Sequence, residues 1–275
     1  MNINLSTING ILSGNINLAS ATVKSLLTLE DNSPVKNYLS DFASGTINYI
    51  SQPFITAVSA SGGTYGSTKG AYLSANSCLF TNITSDYTSQ TVYLYNFIDT
   101  GDPATSNIIS WQNFYSPTII GATTFKINDD KLFNLVDGSY SYKTLYRDFR
   151  LNLINNNIGN LQNLNIGCAL LSSSYTPDVQ HASFGTISSH IISQVTVPGT
   201  YVIDGGLKST QNYIEFPAGT GVISSVVFYV SSTTPENIKL MGYYNTSSTL
   251  SPATLTATGN ALYVKLYQNT IFDLA

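Results

Sequence analysis

Charge is what this sequence has least of. Asp, Glu, Lys and Arg occupy 9% of its positions, against roughly 25% in an average soluble domain. With 11 basic residues and a net charge of −4, it lacks the clustered Lys and Arg that a nucleic-acid groove requires. The densest basic stretch, from Lys126 to Arg150 with Lys131, Lys143 and Arg147 between, is interleaved with Asp129, Asp130, Asp137 and Asp148. It reads as an ordinary solvated face. Long hydrophobic runs are also missing: none approaches the roughly 18 residues of a membrane-spanning helix, so no membrane partner is expected. The opening "MNINLSTING" has neither the basic start nor the apolar run of a signal peptide. Synthesis in a cytoplasm without general secretory export is the resulting expectation.

Cysteine and histidine are equally scarce. Cys78 and Cys168 could close one bridge, but two cysteines make no disulfide framework, and buried free thiols are the commoner outcome. His181 and His190 have no metal-binding spacing with Cys, Asp or Glu and are expected to be solvated loop residues. No GxSxG elbow, P-loop or EF-hand loop occurs. Asp99 with Asp102, and Asp129 with Asp130, are the closest approach to paired carboxylates. Each pair sits among turn residues, where Asp has a local hydrogen-bonding role. The three Asn-x-Ser/Thr sequons, at Asn4, Asn82 and Asn245, are expected by chance in such a chain. No catalytic, cofactor-binding or metal-ligating residue is therefore assigned, no cofactor is expected, and the chain is not read as an enzyme.

What replaces the charge is neutral and polar: Ser, Thr and Asn make up about a third of the chain, beside 19 Tyr and 12 Phe. Aromatic and β-branched residues on a hydroxyl-rich background favour strands. Such a surface is short of the charge that keeps free proteins apart, so much of it is expected to be covered by neighbouring subunits; the alternative is a secreted or halotolerant monomer wrapped in Ser and Thr. At 275 residues the chain has room for two domains or one large β domain. A chain of this size buries about 75% of its extended surface and needs no metal or disulfide staple.

Residues 1–50 read as an N-terminal arm followed by a helix. "NINLS" and its echo "NINLA" alternate apolar and polar residues (Ile3, Leu5; Ile16, Leu18) and suggest short strands or an extended arm. In "NSPVKNYLSDFASG", Ser33 can cap, Pro34 suits the first helical position and Gly45 can end a helix. Val35, Tyr38, Leu39 and Phe42 would form its apolar stripe.

Residues 51–180 read as a β-rich domain with a helix near 142–154, built on Tyr142, Leu145, Tyr146, Phe149 and Leu153. Leu171–His190 resembles a linker or long loop. Residues 190–275 read as an antiparallel β-sandwich or barrel of about eight strands, with Val222–Val230 central. In "ALYVKLYQNTIFDL", Leu262, Val264 and Leu266 should face the core, while Tyr263, Lys265 and Tyr267 face outward. "QN" is expected to turn the chain so that "TIFDL" pairs back. The fold class is thus mainly β: antiparallel sandwich or barrel modules with one or two short helices.

A chain made in the cytoplasm, nearly charge-free, rich in Asn, Ser, Thr and Tyr, and β-dominated resembles structural proteins of tailed-bacteriophage virions. The likeness is to tail, baseplate or capsid-decorating types and is one of general character. It implies a non-enzymatic subunit that is located in the virion and contacts other virion proteins and copies of itself. Trp111, Tyr263 and Tyr267 are the candidate assembly or ligand contacts. The alternative is a host-receptor or carbohydrate-binding module of a tail fibre or adhesin, with Trp111 and neighbouring Tyr side chains stacking on a host-surface glycan. A tail-spike hydrolase ranks third and would need a cleft holding two carboxylates about 5–10 Å apart.

Overall fold

The computed structural model describes residues 2–43, 49–51, 55–62, 69–75, 77–83, 90–115, 125–128, 131–135, 143–217, 219–233, 237–245 and 255–274. Residues 49–51, 55–62, 69–75, 77–78, 125–128, 131–135, 143, 245, 255–258 and 267 are described by their backbone alone. The chain is mainly β, and every ladder whose register is described is antiparallel. It divides into two compact units. The first comprises Met1–Ile8, Ile16–Ser59 and Tyr72–Leu135, and the second Asn9–Asn15, Ala60–Ala71 and Val136–Ala275. No helix among the described residues is long and apolar enough to cross a membrane.

The first unit is organised by β1 (Asn2–Ile3), β2 (Val23–Thr28), β3 (Tyr49–Ser51), β7 (Thr91–Ile98) and β8 (Ile108–Tyr115), in the order β1-β8-β7-β2-β3. Separate ladders join β4 (Ile55–Gly62), β5 (Lys69–Ala75) and β10 (Lys131–Leu135), and β6 (Ser77–Phe80) with β9 (Phe125–Asn128). Strand β7 is covered on both faces. Val92 and Leu94 pack with Leu27, Phe80 and Ile83 on one side. Tyr95 and Phe97 pack with Leu26, Leu39, Phe42 and Ile108 on the other. Period-two geometry separates these two sets.

One polar row runs through the buried sheet. Ser25, Asn96 and Ser110 face one another across β2, β7 and β8, and all three are buried. The Ser25 hydroxyl donates to Asn96 Oδ1 at 2.6 Å, and Asn96 Nδ2 donates to Ser110 Oγ at 3.0 Å. A slip of one residue would strand these groups against apolar side chains, so the row fixes the register.

The helix expected after Ser33 does not form. That stretch is irregular, with a single 3-10 turn at Leu39–Asp41. Its backbone is claimed elsewhere. The Asp41 carboxylate accepts from the Asn37 and Tyr38 amides at 2.8 and 2.9 Å, and Leu39 N donates to Ser106 O while Ile108 N donates to Asn37 O. Only Leu39 and Phe42 of the expected stripe are buried, whereas Val35 and Tyr38 are exposed. Gly45 lies outside the described residues. Instead the helix comes earlier, as α1 (Leu5–Leu12). The Asn4 carbonyl accepts from the amides of Thr7 and Ile8, and Ile8, Ile11 and Leu12 supply buried positions at helical spacing. The arm's strand is limited to β1, and Ile16 and Leu18 are buried on an irregular segment.

In the second unit, β11 (Lys143–Leu145), β12 (Ile166–Ser172), β13 (Ile191–Thr196), β17 (Thr220–Val230), β18 (Lys239–Asn245) and β19 (Leu255–Thr258) form a six-stranded sheet. Its order is β11-β18-β17-β12-β13, with β19 also on β17. The long apolar strand is therefore central, as its sequence implied. Tyr229 lies across the sheet from Gly167, where a Cβ would collide with the tyrosine ring. The glycine leaves the space that the aromatic side chain fills. The expected helix near 142–154 is shorter, α2 (Arg147–Ile154), because residues 143–145 belong to β11. It buries Phe149, Leu153 and Ile154. The Leu171–His190 stretch holds the end of β12, a loop and a short helix, α3 (Gly185–Ser188).

The remaining strands are β14 (Tyr201–Ile203), β15 (Gly206–Ser209), β16 (Tyr213–Phe216), β20 (Leu262–Lys265) and β21 (Thr270–Asp273). They form a three-stranded sheet, β14-β15-β21, and a two-stranded ribbon, β16-β20. No sheet described closes into a barrel. Gln268 and Asn269 do turn the chain, with φ of 48° and 60°, the left-handed region that Asn tolerates well. However, β21 pairs with β15 and not with β20. Its residues are mostly buried, Phe149 meets Phe272 edge-on at 5.6 Å, and the Tyr244 hydroxyl donates to Ile271 O at 2.6 Å.

Gly206 makes that final pairing possible, since a Cβ there would run into the Phe272 carbonyl and the Asp273 backbone. Gly206→Ala should lower the unfolding free energy by about 3 kcal/mol, the upper part of the range for overpacking. A urea midpoint unchanged from the parent would contradict the tight pairing.

Candidate functional site

The most distinctive surface among the described residues is the outer face of the β16-β20 ribbon. Along β16, Ile214 and Phe216 are fully buried while Tyr213 and Glu215 point out. Along β20, Tyr263 and Lys265 point out. Register places Tyr213 opposite Lys265 and Glu215 opposite Tyr263, so four side chains share one face. Tyr263 is 61% exposed and Tyr213 48%. Their rings meet at 6.0 Å and 65°, forming a corner. The Tyr263 hydroxyl donates to Glu215 Oε1 at 3.2 Å. The neighbouring Glu215 charge holds the Tyr263 hydroxyl above its ordinary pKa, because ionisation would set one anion beside another and break that hydrogen bond.

A groove of about 410 Å³ runs beside this face, lined by Val195, Thr196, Pro198, Gln211, Tyr213 and Glu215. A second, of about 450 Å³, lies between the 162–165 segment and the 196–201 segment. The two share Thr196 and Pro198. The turn between them is well held. Ser209 Oγ donates to Pro198 O at 2.9 Å, the Thr200 amide donates to Thr210 Oγ1, and the Tyr201 hydroxyl donates to Val197 O at 2.9 Å. Polar side chains and two aromatic residues, Tyr213 and Tyr201, therefore line a fixed, open surface.

Of the residues singled out from sequence, Tyr263 stands on this face. Tyr267 falls in a 3-10 turn, Tyr267–Asn269, and its side chain lies outside the described residues. Trp111 belongs to the first unit, on β8, where it is half-buried. Its ring stacks on Tyr95 at 6.4 Å and tilts against Tyr93 at 6.5 Å. Tyr213, Glu215, Gln211 and Thr196 were not singled out. The alternation in "NYIEF" marks Tyr213 and Glu215 as sharing a face, but nothing local shows that its partner is the strand at 262–265.

The histidines are not loose loop residues. Both are half-buried and flank Tyr175, with ring centroids at 5.5 Å for His181 and 5.6 Å for His190. Tyr175 bonds His181 Nδ1 at 2.8 Å and the buried Tyr146 hydroxyl at 3.2 Å, while Ser174 Oγ lies 3.0 Å from His190 Nδ1. Burial pushes both tyrosine hydroxyls above their ordinary pKa. Among the described residues no carboxylate hydrogen bond to either histidine is seen, and neither groove reaches them.

Asp99 pairs with Lys24 at 2.6 Å, and that hydrogen bond holds its carboxyl below the usual range. Asp102 accepts from the Ala104 amide in a turn. Asp129 and Asp130 lie outside the described residues, as does the Cys78 side chain, while Cys168 is a free, buried thiol. No cluster of three potential metal ligands occurs among the described residues.

The chain matches no protein-family model, no curated protein and no solved structure.

The Tyr263–Glu215 contact can be read directly. Glu215→Gln should move the Tyr263 titration down toward that of a free tyrosine, followed by ring-proton chemical shifts against pH. An unmoved titration would mean that the carboxylate does not sit beside the phenol.

Proposed function

We propose that this chain is a non-enzymatic structural subunit of a bacteriophage virion, of the tail, baseplate or head-decorating kind. It works by protein–protein assembly with copies of itself and with other virion proteins. The observation that carries this reading is where the large hydrophobic side chains stand exposed. Tyr115, Tyr213, Tyr263 and Val202 are exposed on strands, in a chain with charges at 9% of its positions. Sheet margins support it as well: among the described residues β11 and β13 end the six-stranded sheet, and β14 ends the β14-β15-β21 sheet. Such margins and exposed aromatic side chains are common material of subunit contacts. In this reading the protein is made in the host cytoplasm and resides in the virion.

A second reading is favoured by the corner of Tyr213 and Tyr263 beside a polar groove. There the chain is a host-receptor or carbohydrate-binding module of a tail fibre or adhesin.

Sedimentation velocity of the purified chain tests the first reading. A discrete oligomer is expected, or binding to a virion particle through contacts burying more than about 1,000 Å². A monodisperse monomer that ignores virion components would contradict it.

A further inference from the structure

We propose that the outer face of the β16-β20 ribbon, with its adjoining groove, is a binding site for a neutral oligosaccharide. The inference rests on the second reading above and does not depend on the first.

A sugar ring has apolar C–H faces and a rim of hydroxyls, and a site for one must serve both. Tyr213 and Tyr263 offer two ring faces at a 65° corner, large apolar surfaces with polar tips. Hydroxyls bound against them need partners, since an unmet polar group costs free energy when water leaves. Glu215 supplies strong acceptors: a carboxylate has about four acceptor sites, and the Tyr263 hydroxyl takes one of them. Gln211 offers both donor and acceptor, and Thr196 a hydroxyl, on the same groove wall. Opposite Tyr213, Lys265 adds a donor.

Charge selects the class. Glu215 and Lys265 offset one another on the same face, so neither an anionic nor a cationic ligand gains a net attraction. Phosphate-bearing polymers are excluded, because their binding relies on several Lys or Arg contacts. Size selects an oligosaccharide over a single sugar. The groove of about 410 Å³ falls within the range of small-ligand sites, and the second groove shares Thr196 and Pro198 with it. The anchored turn at Pro198 means that little has to be ordered on binding.

The full chain would be tested on a printed array carrying neutral hexose and N-acetylhexosamine oligosaccharides beside sialylated and uronic ones, then by calorimetric titration with the best neutral binder. Expected is binding of at least one neutral oligosaccharide, weakened about tenfold by Tyr213→Ala and likewise by Tyr263→Ala, the scale of one lost aromatic contact. Tyr213→Phe should keep the binding, because the ring face is retained. Both Ala variants alter exposed side chains and should unfold at the parent's urea midpoint, which separates lost binding from lost folding. The proposal is overturned if no neutral oligosaccharide binds, if only anionic glycans bind, or if the Ala variants bind as well as the parent. It is equally overturned if the parent binds no glycan and those variants instead change its oligomeric state, which would mark the face as a protein contact. A failed titration leaves the sedimentation result for assembly standing, so the two readings fail separately.

Discussion

Most buried polar groups in a chain so short of charge find neutral partners, and much of the architecture follows from how they do so. The Ser25–Asn96–Ser110 row is the clearest instance: two hydroxyls and one amide cross three strands inside a sheet apolar on both sides. Each hydrogen bond adds only about 1 kcal/mol net, but leaving one buried group unmet costs about 1–3 kcal/mol. The row therefore acts mainly by penalising every other register. Ion pairs have a smaller part. Lys24–Asp99 and Lys208–Asp204 keep appreciable exposure, and such pairs contribute roughly 0–1 kcal/mol, whereas Lys36–Glu30 at 2.9 Å is more deeply buried.

The second unit solves the same problem with tyrosine. Tyr244 donates to the backbone of β21, Tyr201 to Val197, and Tyr146 meets Tyr175. Each ring fills apolar space while its hydroxyl satisfies a polar group, the double use that makes Tyr valuable where charge is scarce. The C-terminal strand is held by this device together with the close approach at Gly206. Where the same residue type faces outward, at Tyr213 and Tyr263, the rings stand exposed at the surface.

Strand content was legible because strand signals are local. About eight strands are expected after residue 190, nine are present among the described residues, and Val222–Val230 is central. Several strands are not legible in this way: β2, β3, β8, β10, β11, β12 and β15. Gly205-Gly206 reads as a turn and conceals β15, and β12 follows directly on the Asn-rich segment that masks its start. The misplaced helix shows the limit of periodicity. Val35, Tyr38, Leu39 and Phe42 fit a stripe, but Asp41 and the 106–108 backbone compete for the same amides. A distant partner decided the outcome, and distance in sequence hides it. The candidate site was half legible for that reason. Tyr263 could be read as outward-facing from alternation, yet its neighbours Glu215 and Tyr213 arrive by pairing across 46–52 residues, which no local pattern records.

Whether neutral contacts carry this fold can be tested by its response to salt. Urea unfolding of the full chain would be followed from about 0.02 M to about 1 M sodium chloride, across which the screening length falls from about 20 Å to about 3 Å. The midpoint should stay essentially constant, because hydrogen bonds between uncharged groups and apolar contacts are little affected by screening. A marked fall with added salt would show that ion pairs hold the sheets together, and would contradict the account at its base.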